Sequence, residues 1–304
     1  MLKLINVVAL VLHFRTPERT LACLRSLADE GICEVVLVDN SEDLGNSINF
    51  MQPDIAHLCQ VGLKVDILQP PRNLGFGKGV ALAIDFILQR ARKNVLLINS
   101  DATFANSAIL NMLKLLEEYE IVVPMLATRF GQQGASAVTC YQRLTALLYR
   151  CRRRSGTVSI PSGCCILIRH DGVRSDFFDG DFFFYGEDIM LGFDLARRGV
   201  VVGECENATV FHSGSASAKN GSMFYEYHMV RAHWLLARKL ACNRFEFACF
   251  LVARCLMLPL RAFVRSLRAG TLTPWRGLFA ATYDLFMGNF RSFTPPASRS
   301  KSSC

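Results

Sequence analysis

Short apolar runs alternate with helical patterns over the first hundred residues, and this alternation limits the possible folds more than any other feature. Four runs predict buried strands, at residues 7–13, 35–38, 65–68 and 95–98. Apolar residues at helical spacing predict helices over 17–27 and 80–91. Continuous apolar strands separated by helices form a mostly parallel sheet that helices cover on both faces. The sequence therefore predicts an α/β fold.

Polar tripeptides follow two of these predicted strands directly. Asp-Asn-Ser at 39–41 follows the second strand, and Asn-Ser-Asp at 99–101 follows the fourth. Ligands of open α/β sheets bind beyond the carboxyl ends of the strands, so Asp39 and Asp101 are predicted at that edge. A carboxylate there suits a divalent cation that is shared with substrate phosphates. The alternative is that Asp101 only caps a following helix.

A glycine-rich segment at 73–79, Asn-Leu-Gly-Phe-Gly-Lys-Gly, follows the third strand and opens a helix. Glycine allows backbone to approach a phosphate or ribose closely, and a helix N-terminus favours anions. The spacing differs from the dinucleotide fingerprint, which also follows a first strand rather than a third. A phosphate-binding loop and a plain tight turn both remain as interpretations.

Two adjacent carboxylates, Glu187 and Asp188, follow an aromatic run at 182–185 and a turn marked by Gly186. Partial desolvation raises the pKa of a carboxylate and suits it to act as a general base. The alternative is a strand followed by Glu and Asp as helix-capping residues.

Further along, His212 ends a short predicted strand and precedes Ser-Gly-Ser. A neutral imidazole can bind a metal, and such a loop can fold over a phosphate. A structural histidine is the alternative.

Composition limits where such a site acts. The chain has 304 residues, of which 20% are charged, which excludes a multi-span membrane protein. Its 12 cysteines are scattered without a CxxC pair, which indicates reduced thiols of a cytosolic protein. No secretory signal is predicted. The net charge of +8, concentrated at Arg150, 152–154 and 231–301, favours anionic lipid or a phosphorylated substrate over nucleic acid, for which no motif is present.

From residue 223 onward the pattern is helical and basic. The apolar stretch 247–260 is about fourteen residues long, contains Arg254 and ends near Pro259, whereas a membrane-spanning helix needs about twenty. We expect an amphipathic helix on a membrane face or a core or oligomer helix. The segment 120–160 lacks a regular pattern and predicts a loop. The predicted domains are 1–235, a helical segment at 236–293 and a disordered tail at 294–304.

Taken in order, six motifs resemble those of the family 2 glycosyltransferases. They lie at 39–41, 73–76, 97–101, 163–169, 183–188 and 212–215, and the resemblance covers about residues 5–235. The nearest branch is the rhamnosyltransferase-type enzymes of bacterial surface polysaccharide synthesis. The resemblance implies a GT-A-type, Rossmann-like sheet with flanking helices, followed here by the helical basic and apolar appendage. Together with the cysteines and the basic, apolar C-terminal segment, this resemblance leads us to expect a cytoplasmic enzyme that is peripheral on the inner face of the membrane.

The activity that the resemblance implies is an inverting, metal-dependent transfer of a sugar, rhamnose or another deoxysugar, from a nucleotide-sugar donor. The acceptor would be a hydroxyl of a lipid-linked glycan, lipopolysaccharide or polysaccharide. Asp101 and His212 would hold Mg²⁺ or Mn²⁺, Asp188 would be the general base, and Glu187 would help to bind the acceptor. Contacts to the nucleotide sugar would come from Asp39, Asn40, Asn73, Gly75, Asn99, Asp101 and Gly163.

The chain departs from the family at three places. Phe14-Arg15 stands where the family often has Tyr-Asn, and Val80-Ala81 where it commonly has Asn-Asn. Met190 and Asp194 replace an Asp and an Arg one helical turn apart. These departures concern donor and acceptor specificity. The alternatives are a non-catalytic sugar-nucleotide or glycan-binding homologue and a nucleotidyltransferase.

Overall fold

A computed structural model describes residues 4–128, 132–150, 157–212 and 221–287. The predicted arginine cluster at 152–154, the Ser-Gly-Ser at 213–215 and the tail at 294–304 lie outside these residues. Two compact units interleave along the chain. The first comprises the described residues of 1–138, 161–178 and 200–217, and the second those of 139–160, 179–199 and 218–304. The predicted domain boundary at residue 235 stays a prediction.

Over the described residues the chain forms twelve strands and eight helices. In order they are β1 (Val7–His13), α1 (Pro17–Asp29), β2 (Glu34–Asp39), α2 (Asn46–Gln60), β3 (Lys64–Leu68), α3 (Gly75–Leu88), β4 (Asn94–Asn99), β5 (Ala102–Phe104), α4 (Ala108–Leu115), β6 (Ile121–Ala127), β7 (Ala135–Ser136), β8 (Val138–Gln142), β9 (Leu148–Tyr149), β10 (Thr157–Pro161), β11 (Cys165–Ile168), α5 (Glu187–Arg198), β12 (Val202–His212), α6 (Met223–Lys239), α7 (Arg244–Ala269) and α8 (Thr273–Phe286).

The first unit is built on a nine-stranded sheet of order β3-β2-β1-β4-β11-β6-β12-β5, with β7 paired to β6. Neighbours among its first four strands are parallel. β11 then runs antiparallel to both β4 and β6, whereas β6 and β12 are parallel. The predicted α/β class with flanking helices is confirmed. The sheet is parallel in its first half and mixed in its second, because β11 enters between β4 and β6.

Burial explains why the central strands are continuously apolar. Leu10 on β1, Leu37 on β2 and Leu96 on β4 are fully buried, as expected for a sheet covered on both faces. α1 begins at Pro17, whose fixed φ suits a first helical turn, and it buries Leu24 against this sheet. The carboxyl ends of these strands are thereby held at one rigid edge.

Four features of the fold differ from the expectations. α2 was not predicted, although Ile48, Met51, Ile55 and Leu58 bury one face at helical spacing, because Pro53 interrupts the pattern on the exposed side. α3 begins at Gly75 instead of residue 80, since the glycine segment itself forms the first turn. Residues 202–212 form one strand of 11 residues with a register shift instead of the short strand predicted to end at His212. The described part of 120–160 holds strands β6 to β10 rather than a loop.

The second unit combines a three-stranded sheet of order β10-β8-β9 with α5 and the C-terminal helices. α6 and α8 approach closely at Gly277, where a Cβ would lie 2.6 Å from the Cβ of Glu226. α7 continues through Pro259 for 26 residues, so the expected end near this proline was wrong. Leu258 and Ala262 on either side of the proline are buried, and this packing keeps the helix continuous.

α7 is also the one helix among the described residues that is long and apolar enough to cross a membrane. In its most apolar 18-residue window, 28% of the residues are buried.

The cysteines largely follow the expectation of reduced thiols. Nine described cysteines are free, and those at Cys23, Cys164 and Cys165 are buried in the first unit. Cys242 departs from the expectation, because it is disulfide-bonded.

Candidate active site

The carboxyl ends of β1, β2 and β4 meet at one edge of the sheet. His13 at the end of β1 is in register with Asp39 at the end of β2, and Leu12 is in register with Asn99 at the end of β4. The structure thus brings together the two polar tripeptides that the sequence placed after separate strands. His13 was not recognised from the sequence, although its position at the end of the first strand was visible there.

Asp39 is held in one orientation by two hydrogen bonds. Its Oδ1 accepts from the N–H of Ser41 at 3.0 Å, and its Oδ2 accepts from Nε2 of Gln69 at 3.2 Å. The residue is buried. Gln69 follows β3 and had no recognisable signal in the sequence.

Asn40 and Asn73 hold the glycine segment in place. Nδ2 of Asn40 donates to the carbonyl of Gly75 at 3.1 Å, and its Oδ1 accepts from the N–H of Leu74 at 3.3 Å. Oδ1 of Asn73 accepts from the N–H of Gly75 at 2.8 Å. Both amides, predicted as contacts to the nucleotide sugar, therefore shape the first turn of α3 through their own side chains.

Gly79 allows α3 to pack directly on β1. A Cβ at this position would lie 2.8 Å from Cδ2 of Leu12 and 3.1 Å from Nδ2 of Asn40. A larger residue would require the side chains of Leu12 and Asn40 to shift, and Asn40 is the residue that holds the turn at Gly75. The third glycine of the segment thus has a packing role, which the spacing alone did not show.

Arg15 connects the loop after β1 to the end of β2. Its backbone is left-handed, with φ at +51°, a conformation that costs a non-glycine residue about 1–3 kcal/mol. Its N–H donates to Oγ of Ser41 at 3.0 Å and its Nε to the carbonyl of Ser41 at 2.7 Å. This strained arginine occupies the position where the family often has asparagine.

His13 is a neutral buried histidine beside this loop. Thr20 donates its hydroxyl to the carbonyl of Thr16 at 3.1 Å, so Nδ1 of His13 donates to Thr20 Oγ1 at 2.7 Å. Burial lowers the pKa of His13, although the charges of Asp39 and Asp43 oppose the shift. The Nε2 atom is buried without a hydrogen-bond partner among the described residues.

Asp101 and His212 form the second polar pair at this edge. Since His212 on β12 is in register with Ala102 on β5, its Nε2 lies 3.2 Å from Oδ1 of Asp101. Arg19 approaches the other carboxylate oxygen at 3.9 Å. Burial raises the pKa of Asp101, but the hydrogen bond and charge of His212 outweigh it, and the pKa lies below its usual value. The carboxylate is therefore ionised at neutral pH.

Asp101 and His212 suit a divalent cation only in part. No group of three or more His, Cys, Asp or Glu side chains that could hold a metal is present in the part of the chain that the structure describes. Mg²⁺ needs only one or two protein carboxylates when substrate phosphates supply further oxygens. The pair therefore fits a metal that arrives with a diphosphate, rather than a resident structural ion.

Asn99 and Gly163 lie near the same region of the first unit. The N–H of Asn99 donates to the carbonyl of Cys164 at 2.8 Å, which joins β4 to the start of β11. A Cβ on Gly163 would lie 3.5 Å from the ring of Phe76 on α3. Gly163 is thus next to the glycine segment, and its predicted contact to the nucleotide sugar stays a prediction.

Glu187 and Asp188 open α5 in the second unit. Tyr185 and Gly186 both have left-handed backbone, with φ at +65° and +92°, and this double turn presents the two carboxylates. Oδ1 of Asp188 accepts from the N–H of Ile189 at 2.8 Å. Oε2 of Glu187 is buried and has no hydrogen-bond partner among the described residues. The two neighbouring acids therefore have different surroundings.

These surroundings act differently on the pKa values of the two acids. Burial raises the pKa of Glu187, and the nearby charge of Asp188 raises it further. Burial also raises the pKa of Asp188, but the N–H of Ile189 favours its ionised form. When the pair shares one proton, we infer that Glu187 carries it and Asp188 is the anion.

An aromatic cluster adjoins the carboxylates. It comprises Phe183, Phe184, Tyr185, Phe224, Tyr225 and His228, whose neighbouring ring centroids lie 4.4–6.4 Å apart. Burial lowers the pKa of His228 to about 4, with a further contribution from Arg231. The cluster is thus uncharged at neutral pH and offers ring faces on which the apolar side of a sugar can pack.

Met190 explains one departure from the family. Its side chain is buried in the core of the second unit, against a cluster that includes Phe182 and Phe193. An aspartate at this position would be an unpaired charge in an apolar core. The substitution is therefore matched to the packing around it.

Replacing Glu187 with glutamine is expected to make stability less dependent on pH. The pKa of Glu187 is raised on folding, so the folded protein binds more protons than the unfolded chain above about pH 4. The stability that this provides is complete at low pH and is lost as the pH rises. The melting temperature of E187Q relative to the unchanged protein should therefore increase between about pH 5 and pH 8.

The control for this experiment is E206Q, which makes the same change at an exposed site. Its melting temperature should follow that of the unchanged protein at every pH. If the melting temperatures of E187Q and the unchanged protein differed by the same amount at every pH, this would contradict a raised pKa at Glu187.

The fold of the chain is similar to that of several solved structures. The structure aligns with GalNAc-T7 bound to UDP, GalNAc and Mn²⁺, at a TM-score of 0.59 and 13% identity over 80% of this chain. It also aligns with the mannosyltransferase PcManGT from Pyrobaculum calidifontis bound to GDP-Man and Mn²⁺, at a TM-score of 0.53 and 15% identity over 95% of the chain. S. aureus TarS gives a TM-score of 0.50 and 15% identity over 77%.

The lengths of the compared proteins differ. The aligned region spans 50% of GalNAc-T7, 83% of PcManGT and 39% of TarS. No protein-family model and no curated protein sequence matches the chain significantly. At these identities the likeness concerns the fold alone. The chain therefore has the GT-A fold that the motifs implied.

Proposed function

We propose that the chain is an inverting glycosyltransferase that uses a nucleoside-diphosphate sugar. The observation that carries the proposal is the contact between Asp101 and His212 at the carboxyl edge of a GT-A sheet. This contact combines an ionised carboxylate and an imidazole beside a glycine segment at a helix N-terminus, a combination suited to a metal-bound diphosphate. GalNAc-T7 and PcManGT, which share the fold, were crystallised with nucleotides and Mn²⁺.

The donor is proposed to bind along the edge that β1, β2 and β4 form. Asp39 is buried and preoriented, and it suits hydrogen-bond donors of a base or ribose. Asn40 and Asn73 would act mainly by holding the turn at Gly75, so that backbone N–H groups of α3 face the diphosphate. Gly163 and Asn99 would contact the sugar of the donor.

Asp101 and His212 would hold Mg²⁺ or Mn²⁺ together with the diphosphate. When bound, the ion would stabilise the negative charge on the departing nucleoside diphosphate. The hydrogen bond and charge of His212, with a smaller contribution from Arg19, lower the pKa of Asp101 and keep its carboxylate ionised.

Asp188 is proposed to accept the proton of the acceptor hydroxyl while that oxygen forms the new glycosidic bond. The bond between the sugar and the diphosphate breaks in the same displacement, so the configuration inverts. Burial raises the pKa of Asp188 toward the range useful for a base, and Ile189 keeps the anion oriented. Glu187, as the protonated partner, would donate a hydrogen bond to the acceptor.

The acceptor is proposed to be a lipid-linked glycan, lipopolysaccharide or polysaccharide, and the sugar rhamnose or another deoxysugar. The aromatic cluster beside Asp188 supports a glycan acceptor, since sugar rings pack on aromatic faces. We propose a cytoplasmic enzyme that is peripheral on the inner face of the membrane. The basic helices at the C-terminus support this location.

A thermal-shift screen tests the donor site directly. UDP, GDP and dTDP, free and as sugar conjugates, are compared with and without Mn²⁺ or Mg²⁺. Ligand at about 100 times its dissociation constant stabilises the folded state by about 2.7 kcal/mol. We expect one nucleotide to stabilise the protein, and the shift to increase with metal.

The variant D101N should lose the metal-dependent part of this shift while keeping the metal-independent part. E118Q, which makes the same kind of change at an exposed site of the first unit, is the control and should behave as the unchanged protein. Stabilisation of D101N by nucleotide and metal at full strength would contradict the metal role of Asp101. The absence of any nucleotide effect would contradict the proposed function.

A further inference from the structure

The outer face of α7 and α8 is apolar over its whole length. On α7, Val252, Leu256, Phe263 and Leu267 recur at helical spacing and are 50–69% exposed. On α8, Phe279 and Phe286 continue the pattern at 65% and 82% exposure. This "outer face", defined by these six side chains, is larger than the scattered apolar residues that normal protein surfaces show.

α7 buries arginine side chains as well as apolar ones, which is unusual for a surface helix. Arg254 is fully buried, and its Nη2 donates to the carbonyl of Arg143 at 2.8 Å and to the hydroxyl of Tyr141 at 3.3 Å. Arg261 and Arg265 pair with the buried carboxylate of Glu226 on α6, at 3.0 and 2.7 Å. Three arginines in the middle and second half of α7 thus point into the protein, while large apolar side chains on another side of the helix are exposed.

These internal contacts determine how α7 can meet a membrane. A helix that crossed the bilayer alone would have to expose Arg254 to lipid and give up the two ion pairs with Glu226. Removing the partners of a buried carboxylate leaves an uncompensated charge in the protein and is strongly destabilising. A helix that lies in the plane of the interface keeps all these contacts and buries only its outer face.

The charges around the outer face favour anionic lipid over a second copy of the chain. Arg244, Arg268 and Arg276 are exposed on α7 and α8. Neither α7 nor α8 has an exposed carboxylate in its described residues. Glu246 forms an ion pair with Arg143, and Asp284 accepts a hydrogen bond from the hydroxyl of Tyr227. A two-fold dimer through this face would bring arginines together without an acid to neutralise them. Phosphates of lipid headgroups would complement each one.

We propose that the outer face of α7 and α8 binds the surface of an anionic bilayer. The two helices lie in the plane of the interface, with the apolar side chains at the boundary of headgroups and acyl chains. The three exposed arginines contact the phosphates. This surface is a property of the second unit and does not depend on the proposed sugar transfer.

Sedimentation with vesicles tests the proposal on the full chain. Vesicles of phosphatidylcholine alone are compared with an equimolar mixture of phosphatidylcholine and phosphatidylglycerol. We expect binding to the mixture that weakens with salt. The double variant L256Q/F263Q should bind at least about tenfold more weakly, since burial of each large apolar side chain contributes substantially.

The matched control is F50Q/V61Q, which removes two exposed apolar side chains from the first unit, 56% and 64% exposed, and should bind vesicles as the unchanged protein does. Circular dichroism and melting temperature verify that L256Q/F263Q is folded. Equal binding of both double variants would overturn the proposal. Thermal stabilisation by nucleotide, measured without vesicles, reports separately on the donor site.

Two further outcomes would also overturn it. If light scattering shows a dimer that L256Q/F263Q converts to a monomer, and vesicles do not bind, the outer face is an interface between two copies. If bound protein resists extraction by alkaline carbonate, α7 is inserted across the bilayer.

Discussion

Replacing Asp188 with asparagine is expected to lower the rate of sugar transfer by about 10²–10⁴-fold and to leave nucleotide affinity unchanged. Asparagine keeps the shape of the side chain and can still accept from the N–H of Ile189, so α5 should start as before. It cannot take a proton from the acceptor hydroxyl. The measurements are single-turnover transfer to acceptor and nucleotide titration by calorimetry.

E187Q is the matched variant, because it removes the neighbouring titratable group but keeps a hydrogen-bond donor. We expect its transfer rate to fall far less than that of D188N. If D188N transfers sugar at the normal rate, Asp188 is not the base. If the unchanged protein, like D188N, transfers no sugar but binds nucleotide, the chain is a binding module. Release of pyrophosphate by the unchanged protein would instead indicate a nucleotidyltransferase.

Replacing Gly192 with alanine is expected to reduce the free energy of unfolding by about 3 kcal/mol. A Cβ at this position would lie 2.1 Å from the carbonyl oxygen of Ser159 on β10, and that oxygen belongs to backbone. Either α5 or β10 must move. Since Glu187 and Asp188 open α5, the displacement should also lower activity. Urea unfolding, followed by circular dichroism, measures the stability change.

The control is G199A, one residue beyond the end of the same helix. Gly199 has φ at +71° and nothing within 4 Å of an added Cβ, so the substitution carries backbone strain without a clash. Its cost should be about 1 kcal/mol. Equal destabilisation by the two variants would contradict the role of close packing between α5 and β10.

The sequence was most informative where each strand is covered on both faces. β1, β2 and β4 are continuously apolar because helices bury both sides, and their positions followed directly from the pattern. The insertion of β11 between β4 and β6 could not be predicted, because antiparallel placement of a short apolar run depends on contacts far away in sequence. The extension of α7 through Pro259 likewise depends on burial of the residues around it.

The candidate site likewise contains residues that could be identified from the sequence and residues that could not. Residues at strand ends, such as Asp39 and Asp101, could be identified because parallel strands present their carboxyl ends at one edge. Gln69, which orients Asp39, and Thr20, which binds His13, are polar residues without a motif. The different surroundings of Glu187 and Asp188 arise from one backbone N–H and one buried oxygen, which no sequence pattern records.

The position of β11 also has a consequence for biosynthesis. β4 ends at Asn99, whereas β11, which pairs with its free edge, begins only at Cys165. During synthesis, the parallel strands β1 to β4 leave the ribosome first and can pair with each other. The free edge of β4 then stays unpaired for several seconds, at ordinary elongation rates, until β11 has been made. An open strand edge can recruit other chains. Aggregation during translation, rather than loss of the finished fold, is therefore the defect that we expect from substitutions that weaken β11.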